Sequence, residues 1–111
     1  MKNKVKALET DVELQKAELK WQELNLDNLK NQAVTKLEKE QIMLDFYEES
    51  GLKQAESIIS ASTLSYRSGE ISFAELSQFI AQAISIKQNY LDALNLYNQS
   101  MIEYQYLANQ N

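Results

Sequence analysis

Tyr66-Arg67-Ser68-Gly69-Glu70-Ile71-Ser72 lies between two long runs that contain no proline, and its reading decides the fold. Gly69 supplies a residue able to take the left-handed conformation that commonly ends a helix. Arg67 sets a cation against the negative C-terminal dipole of the arriving helix. Ser72 can cap the departing helix through its hydroxyl, Glu75 three residues on completes a capping box, and Ile71 with Leu76 forms the matching hydrophobic staple. The same S/T-x-x-E spacing recurs from Thr10 to Glu13 and from Thr35 to Glu38, but there it sits inside continuous helical periodicity. Only Ser72 stands just past a glycine, so the stretch predicts the tip of a helical hairpin.

Outward from the tip, the returning arm has the clearest period. Phe73, Ile80, Lys87, Leu94 and Met101 are seven apart, as are Leu76, Ala83, Tyr90, Tyr97 and Tyr104. Two interleaved heptad rows predict a coiled-coil seam. Phe79, Ile84, Ile86, Leu91, Leu96 and Ile102 fall outside it, so this helix is apolar on more than one side, which implies lateral self-association or missing repeats of the same protein. The arm that descends to the tip carries Leu52, Ala55, Ile59, Ser62 and Tyr66 on one face, with Ile58 beside it, and its small residues permit close helix approach.

Farther back, Val5, Leu8, Val12, Leu19, Leu26, Leu29 and Ala33 follow a 3.5-residue repeat interrupted by Gln15 and Gln22. A step of four to Leu37 and then of seven to Leu44 has the form of a stutter. Leu14, Trp21 and Leu24 lie off that row as a second packing face. Gly51, in Glu49-Ser50-Gly51-Leu52, predicts a kink or short interruption. At about 1.5 Å per residue the returning arm reaches roughly 55 Å, back to about Asn31, so the first thirty residues overhang and need another partner.

The fold class expected is therefore all-α: a long antiparallel helical hairpin with a break near Gly51 and a turn at Tyr66–Ser72. Residues 1–111 form one domain with helices over 2–49, 52–67 and 72–108. The 44% hydrophobic content, two glycines and absent proline favour an elongated helical protein over a globule.

Composition also restricts chemistry. There is no cysteine and no histidine, which excludes disulfides, thiolate chemistry, zinc sites of the usual kind and histidine bases. Glu48 and Glu49 diverge on adjacent helix positions and no nucleophile–base pair is recognisable, so no enzyme, catalytic residue, metal site or cofactor is expected. Net charge is −5, and Lys2, Lys4 and Lys6 are diluted by Glu9, Asp11 and Glu13, which argues against nucleic acid. No apolar run approaches the roughly 20 residues of a membrane span, and the N-terminus lacks the apolar core of a secretory signal. For an exported protein that absence implies a piece of something longer.

From Ala61 to Leu107 the chain resembles the closing helical hairpin of the TolC-like outer-membrane efflux family. The resemblance rests on Tyr66-x-x-Gly69-Glu70-Ile71-Ser72, Glu75-Leu76, Tyr90-Leu91-x-Ala93-Leu94-x-x-Tyr97-Asn98 and Glu103-x-x-x-Leu107. Tyr47 to Glu56 is similar to the break before the descending helix in heavy-metal members, including TolC-like segments fused to metal-efflux RND pumps. The resemblance implies a periplasmic, non-enzymatic part of a tripartite system that exports heavy metals or drugs. Its partners would be an adaptor protein, an inner-membrane pump and further repeats of the same wall. Residues Tyr66, Arg67, Ser68, Gly69, Glu70, Ile71 and Ser72 would form the tip that docks on the adaptor. Glu75 matches the acid that narrows the entrance in that family, and Gln78 stands where a second acid is frequent. The outer-membrane strands and the other repeat of the family are missing from this chain. Two other readings are an adaptor-side hairpin, whose Arg-Leu-Ser type of tip Arg67-Ser68-Gly69 does not reproduce, and a self-associating cytoplasmic coiled-coil scaffold.

Overall fold

The computed structural model describes residues 2–110, apart from the Lys2 side chain, and contains three helices: α1 (Lys2–Phe46), α2 (Leu52–Arg67) and α3 (Phe73–Ala108). A π-helical turn, Tyr47–Gly51, joins α1 to α2, so the first two helices form one rod on which α3 folds back antiparallel. No strand is present among the described residues. The molecule measures 98 × 22 × 14 Å. Two helices side by side, each about 10–12 Å across, account for both short dimensions. The core is therefore a single seam rather than an enclosed volume.

That seam is built largely from small side chains. Ala33, Leu44, Ala55 and Ser62 are buried on the outgoing rod, and Leu76, Ala83, Ala93 and Ser100 on α3. The heptad row expected to face inward does so: Leu76 and Ala83 are buried, and Tyr90, Tyr97 and Tyr104 are half-buried. The other expected row is only partly inward. Ile80, Leu94 and Met101 are half-buried, whereas Phe73 and Lys87 face water. Ile86, read from sequence as lying outside the seam, instead belongs with Ala93, Ser100 and Leu107 to a third inward row. The reason is geometric, because a straight helix drifts by about 20° per heptad and the seam passes from one row to the next.

The interruption expected near Gly51 is a widened turn, not a chain break. Gly51 keeps right-handed helical angles (φ −59°, ψ −47°), and the Leu52 N–H donates to the Tyr47 carbonyl five residues back. The tyrosine ring explains the glycine: a Cβ at position 51 would stand 2.8 Å from Tyr47 Cδ1. The same ring meets Phe46 edge-on at 5.4 Å between centroids. Gly→Ala inside an exposed helix usually gains about 1 kcal/mol. Here Gly51→Ala is expected to lower the melting temperature, with Gly51→Ala/Tyr47→Ala showing a positive coupling of about 1 kcal/mol in a double-mutant cycle. Additive effects would mean that the ring does not constrain the turn.

Thr10 and Thr35, which match the capping spacing elsewhere, donate their hydroxyls to the Lys6 and Asn31 carbonyls within α1, so neither caps a helix. Register between the arms is marked by the Lys36–Glu103 ion pair at 3.8 Å and by Lys30 Nζ donating to the Gln110 carbonyl at 2.9 Å. Both side chains of the ion pair are more than half exposed, so it marks position and contributes little stability. Glu40 and Ser100 occupy the same level of that register. Glu40 Oε2 and Ser100 Oγ are buried without a hydrogen-bond partner. Ser62, by contrast, donates its hydroxyl to the Ile58 carbonyl at 2.6 Å. Ser100→Ala is accordingly expected to raise stability by about 1 kcal/mol in thermal or urea unfolding, whereas Ser62→Ala is not.

Short of Leu26 the rod is uncovered. Every side chain over residues 3–25 is exposed, and Leu26 is the first to be partly covered. The overhang of about thirty residues expected from arm lengths is thus present. Trp21 is 65% exposed, and Leu14 and Leu24 on the same flank also face water.

Candidate functional site at the hairpin tip

The turn at the end of the molecule is fixed by its backbone. The Glu70 N–H donates to the Ser65 carbonyl at 2.9 Å and the Gly69 N–H to the Tyr66 carbonyl at 3.0 Å. This nested pair is a Schellman motif, which requires a left-handed residue at its centre. Gly69 fills that place with φ +79°. Ser68 closes the last turn of α2 by donating both its N–H and its hydroxyl to the Leu64 carbonyl.

Ser72 then starts α3 from extended backbone (φ −78°, ψ 166°), its Oγ accepting the Glu75 N–H at 3.1 Å. The Glu75 carboxylate accepts from the Ser72 hydroxyl at 3.2 Å and not from the Ser72 N–H, so the serine half of the expected capping box forms and the glutamate half does not. Glu75 also lies in the first turn of α3, where a negative charge favours the helix dipole. Tyr66 and Phe73 brace the two sides of the turn, edge to face at 6.2 Å. Leu76 is buried and Ile71 half-buried at the staple positions.

The seven expected tip residues are therefore contiguous on one end of the rod, and all except Ile71 are exposed. Lys36–Glu103 is the one ion pair among the described residues, which leaves Arg67 and Glu70 without a charged partner. The tip thus presents one cation, one anion and two serine side chains on a rigid turn. Glu75 and Gln78 stand one turn apart on α3, both exposed. Since Glu75 is engaged in the cap, its carboxylate is tied back toward Ser72 rather than extended.

Sequence reading did not single out a shallow apolar groove of about 350 Å³ beside the tip, lined by Ser57, Ile58, Ala61, Ser65, Ile71 and Phe79 with Ser62 at its floor. The small residues at Ser57, Ala61 and Ser65, four apart, were its available signal. Among the described residues no group of three or more acidic side chains is placed to hold a metal ion. None of their helices is long and apolar enough to cross a membrane.

The architecture defines this chain as an extended two-helix hairpin with a rigid polar tip. None of the known protein families, curated proteins or solved structures compared with it gives a match.

Proposed function

We propose that this hairpin is a non-enzymatic wall-and-tip segment of a TolC-like efflux conduit, working in the periplasm beside an adaptor and an inner-membrane pump that export heavy metals or drugs. The observation that carries this reading is the distribution of apolar side chains on α3. Phe73, Phe79, Ile84, Leu91, Leu96 and Ile102 remain exposed after the hairpin has formed. A helix apolar beyond the face its partner covers suits a wall element held between lateral neighbours. In this reading the tip docks on an adaptor hairpin through Arg67, Ser68, Glu70 and Ser72, and the wall contributes Glu75 and Gln78 to a weakly acidic entrance. No bond is made or broken by the segment.

The test is binding of the full chain to an adaptor hairpin, measured by titration alongside far-ultraviolet circular dichroism. Gly69→Val forces a β-branched residue into left-handed backbone, a conformation that costs an L-residue about 1–2 kcal/mol. It is expected to weaken docking at least tenfold while helicity is retained. Equal binding by the variant would refute tip recognition. The uncovered stripe over Val5 to Leu26 favours a second reading, a self-associating coiled-coil scaffold, which a cytoplasmic location in cell fractionation would support.

A further inference from the structure

The stripe that α3 covers on α1 does not end where α3 ends. Ala33 and Leu44 are buried and Leu37 half-buried beneath it, and the same row continues through Leu26, Leu19, Val12, Leu8 and Val5. The last four are exposed. A helix laid on that row would occupy the line of α3, extended past Gln110, whose carbonyl meets Lys30. Residues 3–25 offer such a helix about 35 Å of unpaired surface.

We propose that this place is taken by the same residues of a second copy, running antiparallel, so that two hairpins join tail to tail with their tips at opposite ends. Direction follows from the rigidity of α1, which is a single helix from Lys2 to Phe46. A parallel copy seated on the stripe would carry its own residues beyond about 30 into the space held by α3. An antiparallel copy carries those residues away from α3.

Charge selects the register. Antiparallel knobs-into-holes packing alternates the two seam positions, which sets Leu8 of one copy against Leu19 of the other, Val12 against Gln15 and Val5 against Gln22. Shifting by one heptad would set Glu9 against Glu23 and Asp27 of the second copy, or against its Glu9 and Glu13. In the unshifted register Glu9 falls between Lys16 and Lys20 of the second copy, and Glu23 falls beside Lys6. Asp11 opposes Glu18 on the other flank, and the Val–Gln layers are half polar, so the pair is reversible and concentration-dependent. The pairing uses residues that the conduit reading leaves unassigned, and it stands or falls apart from that reading.

The chain has no cysteine, so Leu8→Cys and Leu19→Cys full-length variants test the geometry. Sedimentation of the unmodified chain should show a twofold rise in mass with concentration. Under oxidation each variant alone should remain uncross-linked, while an equal mixture should yield a covalent dimer. A monomer at all concentrations overturns the proposal, as does cross-linking of either variant with itself, the mark of a parallel pair. A dimer whose mixed variants fail to cross-link places the interface elsewhere and overturns it as well.

Discussion

Leucine in place of Ala83 is expected to lower stability by about 3 kcal/mol, the upper part of the range for overpacking a tight site. Ala83 and Ala55 are both fully buried at 0% exposure, on opposing arms and close to level with one another. Small side chains there let the backbones approach at the short end of the usual 8–10 Å interaxial range. The three carbons that leucine adds have no void to enter. Nor is there a second layer to absorb them, since the thinnest dimension of the molecule is 14 Å. Relief requires the arms to splay, which would uncover Leu76 on the tip side and Ile86 on the other. Thermal unfolding followed by circular dichroism measures the loss, and Ala83→Ser, which changes little volume, serves as the comparison. A melting temperature unchanged by leucine would show that the arms are not in close contact at this level.

The same small-residue seam shows how much the sequence could reveal. The tip was legible because Gly69, Ser72, Glu75, Ile71 and Leu76 each point to the same local geometry, and those preferences act within a few residues. The overhang was legible because arm length follows from helical rise alone. What remained hidden depended on phase. Lys87 and Ile86 exchange places because a strict heptad projection ignores the drift of a straight helix, and only the partner's position decides which row faces it. The π turn was equally indistinct. Gly51 signals a disturbance, but the choice between a cap and a widened turn rests on the Tyr47 ring lying over the glycine, a side-chain placement that no spacing rule encodes. The groove beside the tip escaped notice for a similar reason, since Phe79 joins Ile58 and Ala61 only after α3 has folded back. Sequence periodicity specifies which faces need covering, whereas the covering partner fixes their use. That is why the tip geometry could be read residue by residue and its docking role had to be proposed.

Leu44→Ala is expected to cost about 3 kcal/mol, near the low end of the buried leucine-to-alanine range. Leu44 is 5% exposed and is, with Leu76, one of only two large side chains buried among the described residues. The low end applies because a two-helix seam can close partly or admit water, whereas an enclosed core would retain the cavity. Ile42, two positions away and 71% exposed, provides an internal comparison: Ile42→Ala should change stability by less than about 0.5 kcal/mol. The effect should also be local. Leu44 lies between the π turn and the Lys36–Glu103 level, so its loss loosens the end of the hairpin nearest the overhang. The Schellman turn and the Ser72 cap are held by their own hydrogen bonds and by Leu76. Native-state hydrogen exchange should therefore show protection lost over residues 30–46 and in α3 beyond Ala93, with amides near the tip retained. Equal loss of protection at both ends would mean that the hairpin opens as one unit. In that case a tip held only by its neighbours could not keep its turn geometry when the far end frays.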